Sequence, residues 1–160
     1  MNPTAHVLWL GLERSNALID TFSTGLEGDD WFQRPPGLPN PAIWILGHLA
    51  HTRARFLELL TGEEVQEAGW DDLFNMGTEP RDPGDYPSVE ACRAALGARL
   101  ADLKAYLETA TVEDLQGPPN GLPEYFDTKG SVFAFLTHHE AHHTGGLSMT
   151  RRLLGKERLF

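Results

Sequence analysis

The residues best suited to chemistry lie in one short stretch, FLTHHEAHHTGGL, which holds four of the seven histidines of the chain. Two pairs in it are four residues apart: His138 with His142, and His139 with His143. On an α-helix, side chains four residues apart lie one above the other on the same face, so either pair could direct two imidazole nitrogens at one metal ion. The stretch therefore predicts a metal site and leaves open which pair binds.

The apolar residues around the histidines indicate which pair faces inward. At about 100° per residue, four of them share one arc of the helix: Val132, Leu136, Leu147 and Leu154. His139 and His143 lie inside that arc, whereas His138 and His142 are turned roughly 90° or more from its middle. Burying two polar rings side by side is costly unless they share a partner, so we expect His139 and His143 to share a metal ion.

A third ligand must come from another part of the chain, and the segment GHLAH offers two histidines. His48 lies between Ile45 and Leu49 on the apolar side of its helix, while His51 is shifted toward the edge and is expected to be half-exposed. His48 is thus the preferred third ligand and His51 the alternative. Three neutral imidazoles leave at least one coordination position open, as in working metal sites. Such ligands do not distinguish zinc, nickel, iron, cobalt and manganese.

The same letters also spell the zinc-peptidase pattern H-E-x-x-H, in which Glu140 would be the general base. The surrounding chain argues against a zinc hydrolase. The extended pattern needs a third histidine where this chain has Met149, and no strand pattern precedes the helix. We therefore expect Glu140 to orient a neighbouring side chain or to lie near the rim of the site.

Charge and cysteine content limit the class of protein. With 13 Lys and Arg against 23 Asp and Glu, the formal net charge is −10, which argues against a nucleic-acid partner. The single cysteine, Cys92, cannot form an internal disulfide, so a reducing, cytoplasmic setting is expected. It lies on an apolar stripe and is expected to be a buried small hydrophobe. No run of about 20 apolar residues predicts a membrane span.

The elements that must position these histidines are helical. Four segments carry apolar residues at helical spacing, and none shows sustained strand alternation: Thr4 to Leu26, Asn40 to Gly62, Ser88 to Leu107, and Ser131 to Leu154. Asn40 is expected to cap the second helix. The connections are roughly 15 to 25 residues long, longer than a bundle needs, and could form walls of a site. The sequence predicts an all-α protein, one domain over residues 1–160, built as a four-helix bundle with long crossover loops.

Two of these segments resemble the sequences of a known protein family. The run NPAIWILGHLAHTRARFLELLTG, followed later by FLTHHEAHHTGGLSMTRRLLG, resembles the DinB/YfiT-like family of metalloenzymes over nearly the whole chain. The resemblance implies an up-down-down-up four-helix bundle with a three-histidine metal site between its second and fourth helices. The matching positions are His48, His139 and His143. Many relatives carry a glutamine three residues after the last ligand, where this chain has Gly146, so any contact of that amide is missing here.

Two classes of function follow. In the first, the bound metal acts as a Lewis acid on a thiol or water in an enzyme with a small-molecule substrate. The resemblance implies a thiol-dependent transferase or isomerase that uses a low-molecular-weight thiol. Four aromatic residues are candidate walls of its pocket, although ordinary packing would also explain each one: Trp44, Trp70, Phe74 and Tyr125. In the second class, the chain is a non-catalytic metal-binding or structural bundle. A homodimer is compatible with either.

Overall fold

The structure is a computed structural model that describes residues 1–159 of the 160-residue chain. It contains six α-helices, four of them long: α1 (Pro3–Ser23), α2 (Ala42–Thr61), α3 (Trp70–Phe74), α4 (Val89–Thr109), α5 (Val112–Gln116) and α6 (Lys129–Leu153). Over residues 1–159 there is no β-strand, and no helix is both long and apolar enough to cross a membrane. The all-α prediction is confirmed.

The four long helices form a closed bundle. Helix α1 packs against α6 and α4, and α2 packs against the same two helices from the opposite corner. Ala5 near the start of α1 shares an apolar cluster with Val132 near the start of α6 and with Leu107 near the end of α4. Phe56, from the last turns of α2, belongs to that cluster too. Helices α1 and α6 therefore run one way and α2 and α4 the other, which is the up-down-down-up course that the resemblance implies.

The core has two apolar clusters with polar residues between them. One cluster includes Ile19, Leu49 and Leu147, and the other includes Leu12 and Phe56. Between them, α1, α2 and α6 each place polar side chains in the bundle: Ser15, Asn16, Arg53 and Glu140. The polar residues therefore form a layer across the middle of the protein.

Helix boundaries differ from the sequence prediction by one to three residues, and the largest difference is at the end of α1, at Ser23 instead of Leu26. Pro41, and not Asn40, is the N-cap of α2, and Gly62 ends the helix in a left-handed conformation, as expected. Helix α6 begins two residues earlier than predicted, because Thr128 caps it: its hydroxyl accepts a hydrogen bond from the Ser131 N–H at 3.1 Å.

The connection between α2 and α4 folds back over α2 and brings α3 against it. At the contact the Phe74 ring lies over Gly47, and a Cβ atom added at Gly47 would be only 2.2 Å from the ring. No larger residue fits there without moving α3. Gly47 thus allows α3 to approach the helix that carries His48.

Candidate metal centre

Three histidines from two distant parts of the chain meet between α2 and α6. His48 of α2 and His139 and His143 of α6 each offer a ring nitrogen, and these atoms lie within 4.8 Å of one another. Among the described residues no other group of three His, Cys, Asp or Glu side chains converges in this way. The structure therefore brings together the three predicted ligands, and their binding of a metal stays a prediction.

The spacing of the nitrogens fits a shared ion. The Nε2 atoms of His48 and His139 are 3.0 Å apart. Two nitrogens each about 2.1 Å from one ion would be about 3.0 Å apart at the roughly 90° of an octahedral site and about 3.4 Å apart at a tetrahedral site. His143 completes the group, with its ring centroid 4.6 Å from that of His48 and 4.5 Å from that of His139. The donor set suits a divalent transition metal and does not identify it.

His48 is held in the tautomer that a ligand needs. Its Nδ1–H donates to the backbone carbonyl of Phe74 at 2.6 Å, so the lone pair of Nε2 faces His139. The Trp44 ring stacks on the imidazole, with centroids 4.5 Å apart and planes 12° apart, and its Nε1–H donates to the Thr78 hydroxyl. No described residue orients His139 equivalently, because its Nδ1 atom is buried without a hydrogen bond.

Burial keeps the three imidazoles neutral. Desolvation is the largest cause that lowers the pKa of His48, and the hydrogen bond to Phe74 offsets part of it. Desolvation, helped by the neighbouring imidazoles, lowers the pKa of His139 to about 4 and the pKa of His143 to about 3. At neutral pH the nitrogens therefore keep their lone pairs for a cation.

The lowered pKa values predict that the metal-free protein loses stability on mild acidification. In the unfolded chain these histidines have the usual histidine pKa of about 6.5. In the folded protein the pKa of His139 is lowered to about 4, so this side chain stays neutral down to about that pH. The unfolded state therefore binds more protons between these pH values, and the free energy of unfolding falls as the pH drops through this window. Urea unfolding of chelator-treated protein at several pH values should show this fall. The fall of the free energy of unfolding with pH should be shallower in His139→Leu and unchanged in His138→Gln. The same pH dependence in all three proteins would contradict the assignment of this fall to His139.

The other four histidines divide into one buried residue, His51, and three exposed residues, which include His6. His138 and His142 are exposed, as predicted. His51, expected to be half-exposed, is instead only 3% exposed, because α3 covers that edge of α2 and places an Asp71 carboxylate oxygen 3.3 Å from Nε2 of His51. His51 does not belong to the three-histidine group. The sequence could not show that a loop helix would cover it.

Of the two expectations for Glu140, contact with a side chain that it orients agrees with the structure, and a place near the rim of the site is wrong. Glu140 is fully buried in the polar layer, where its two carboxylate oxygens accept hydrogen bonds from Arg53 Nε at 2.6 Å and Arg53 Nη2 at 3.1 Å. The Arg53 Nη1 group also donates to the Asn16 side chain and to the Leu96 carbonyl. Glu140, and not the pair His139 and His143, occupies the middle of the buried face of α6; the two histidines are partly buried beside it.

A cleft of about 490 Å³, here called the wide cleft, opens beside the three-histidine group and has His48 and His139 among its lining residues. None of the four aromatic residues predicted as pocket walls lines it. Trp44 and Phe74 hold His48, Trp70 packs on Phe74, and Tyr125 is largely exposed. Sequence reasoning missed the aromatic residues that do line the wide cleft, which are Phe56 and Phe135.

A second cleft of about 310 Å³, the narrow cleft, lies next to His143 and is bordered by Gly146 and Pro39. A Cβ atom at position 146 would lie 3.0 Å from Cδ1 of Ile45. Gly146 thus lies against Ile45, and the narrow cleft receives no side chain from that position.

Comparison with known proteins places the chain in a family. The sequence matches the DinB superfamily over residues 12–147, which include all three histidines of the group and most of the four long helices. No curated protein matches it. With a helical bundle, the three-histidine group and a family match that spans most of the sequence, this chain belongs to the DinB superfamily.

Proposed function

We propose that this protein is a metal-dependent enzyme acting on a small molecule, with the ion held by His48, His139 and His143. The observation that carries the proposal is the convergence of three imidazole nitrogens within 4.8 Å at the side of the wide cleft. A dication held there would supply Lewis-acid chemistry, lowering the pKa of a thiol or water. Three protein ligands leave positions for such a guest.

Residues around the three-histidine group support this proposal and exclude one alternative. The Phe74 carbonyl and the Trp44 ring fix His48, so α2 presents a preorganised nitrogen to the cleft. The buried Trp44 ring covers one face of the His48 imidazole and keeps water from that face, which strengthens electrostatic interactions there. Glu140 is occupied by Arg53 in the bundle centre, so it is not available to the cleft as the general base of a hydrolase.

Within this class we favour a thiol-dependent transferase or isomerase. Its thiol would have to be a low-molecular-weight cosubstrate, because the one cysteine cannot supply it. Cys92 is fully buried in the apolar cluster, and desolvation raises its pKa to about 12, so it stays a protonated thiol. Family membership and the neutral three-histidine group support this class.

The setting we propose is a reducing cytoplasm, one domain over residues 1–160, and a homodimer without a nucleic-acid partner. The lone buried cysteine supports the compartment, and the net charge of −10 disfavours nucleic acid. Exposed apolar side chains on α1, among them Val7, Leu10 and Leu18, support association of two copies. Light scattering on the purified protein measures the assembly directly.

Cobalt substitution tests the proposed chemistry. Adding 2-mercaptoethanol to the Co²⁺-loaded protein should produce a thiolate-to-cobalt charge-transfer band, because the open position accepts a thiol. The Cys92→Ala variant should give the same band, since the thiol comes from solution, and His143→Ala should give none. If the protein binds Co²⁺ tightly but its spectrum responds to neither thiol nor pH, the ion is enclosed, and the alternative of a non-catalytic metal-binding bundle replaces the enzyme.

A further inference from the structure

The wide cleft is surrounded by large apolar side chains that are exposed to solvent. Met76 is 88% exposed, Phe135 49% and Leu122 41%, and all three line this cleft. Soluble proteins keep contiguous apolar patches small unless they bind something, so such a concentration around one cleft indicates a ligand site. The three residues come from different segments: the loop after α3, helix α6, and the loop before α6.

The apolar wall continues from this rim to the metal centre. The Phe135 ring lies 6.2 Å from the His139 ring, with the two planes 23° apart. Phe135 also makes edge contacts with Phe56 and with Phe126, with ring centroids 5.8 Å and 5.4 Å apart. A flat apolar group that stacks on the exposed part of Phe135 would therefore lie next to His139, one of the predicted metal ligands.

The backbone holds the rim in place. Leu122 has a φ of 50°, a left-handed conformation that a leucine rarely adopts and that costs free energy. The loop that carries it is tied to the end of α2, where the Asn120 backbone N–H and side-chain amide both donate to the Leu59 carbonyl. The surrounding structure thus maintains an unfavourable backbone conformation beside a cleft, as is common at ligand sites.

Charged groups around the wide cleft are paired with one another. Arg55 lies 3.6 Å from a Glu58 carboxylate oxygen, and that carboxylate also accepts a hydrogen bond from Gln66. His51 faces Asp71. A bound dication would attract an anionic group only to the end of the cleft at the three-histidine group. Away from that end the lining presents no unopposed cation, and the net charge of −10 disfavours an anionic ligand body further.

We propose that the wide cleft binds a small molecule with an uncharged, flat apolar body, which rests on Phe135, Met76 and Leu122 and directs its reactive end toward His48 and His139. A volume of about 490 Å³ is in the range of small-molecule sites. The inference rests on the proposed function for the role of the site, and it adds the chemical class of the substrate.

Two fluorescent probes with the same aromatic body test the ligand class. N-phenyl-1-naphthylamine is uncharged, and 8-anilinonaphthalene-1-sulfonate differs from it by one sulfonate. Fluorescence titration of chelator-treated protein, in which no ion attracts the sulfonate, should show one site for the uncharged probe, with a dissociation constant at least about tenfold lower than that of the sulfonate. Equal or tighter binding of the sulfonate would overturn the assignment of an uncharged ligand body.

Matched variants locate the probe. Phe135→Ser and Met76→Ser should each weaken binding of the uncharged probe, Phe135→Ser by about tenfold, because each removes apolar contact area. The controls Met149→Ser and Leu153→Ser change residues that are 50% and 51% exposed on another surface, and should leave binding unchanged. Equal losses in test and control variants, or unchanged binding in Phe135→Ser, would overturn the inference. Failure of the unmodified protein to bind metal would instead count against the proposed function, since these titrations do not require the ion.

Discussion

Replacing His139 or His143 by alanine is expected to abolish transition-metal binding, whereas replacing His138 by alanine should leave it unchanged. The unmodified protein should carry about one equivalent of metal per chain, because three converging imidazoles form one site. Either substitution at the site leaves two ligands, too few to hold the ion through purification. Elemental analysis of protein purified without chelator measures the ratio. Metal retained by His143→Ala would contradict the assignment.

The same variants should lose the stabilisation that the ion gives to the folded protein. His48 is on α2 and the other two ligands are on α6, so an ion bound to all three links helices that are far apart in sequence. A ligand that binds only the folded state at a free concentration 100 times its Kd adds about 2.7 kcal/mol. Chelator should therefore lower the Tm of the unmodified protein and of His138→Ala, but not that of His143→Ala. The exposed pair His138 and His142 has the same four-residue spacing, which makes His138 a matched control for spacing alone.

Breaking the buried pair between Arg53 and Glu140 is expected to have the largest effect on stability. Both side chains are fully buried, so Glu140→Gln or Arg53→Met leaves a charge without its partner in the bundle centre. Each single substitution should cost about 3–5 kcal/mol of the free energy of unfolding, a large part of the 5–15 kcal/mol typical of a domain. Urea unfolding measures these losses, and losses below about 1 kcal/mol would show that the pair is not desolvated as its burial indicates.

The double variant Arg53→Met/Glu140→Leu distinguishes an effect of the buried pair on stability from an effect on the positions of the metal ligands. Replacing both charges by apolar groups of similar volume should restore most of the lost stability, because no unpaired charge remains. Arg53 contacts Glu140 of α6, Asn16 of α1 and the Leu96 carbonyl of α4, so it fixes the register of α2 against all three helices. Chelator competition should therefore show weaker metal binding in the double variant even where its stability is restored. Unchanged metal affinity would restrict the pair to a structural role.

The buried pair of Arg53 and Glu140 also explains why the H-E-x-x-H pattern does not form a peptidase site in this chain. In a peptidase the glutamate faces the metal and its substrate. In this chain Glu140 faces the bundle centre, where Arg53 holds both carboxylate oxygens, while the neighbouring His139 faces α2. A rotation of about 100° between adjacent helical residues separates the two roles. A sequence pattern alone does not specify which face of a helix is buried.

The sequence alone determined the helices and the group of predicted ligands. Helical periodicity is a local property, so apolar spacing defined the four long helices to within a few residues and placed His139 and His143 on one face and His138 and His142 on another. The segment GHLAH placed His48 on the buried side of its helix. The structure has brought these three residues together, and metal binding itself stays a prediction.

Only the tertiary structure decided how the site is supported and what surrounds it. The hydrogen bond from His48 to the Phe74 carbonyl, the burial of His51 under α3, and the pairing of Arg53 with Glu140 join residues that are distant in sequence or depend on the course of a loop. Loops carry no periodic signal, and a charged residue is expected at the surface until its partner is known. The wide cleft depends on the same loops, because its rim forms where two of them meet α2 and α6.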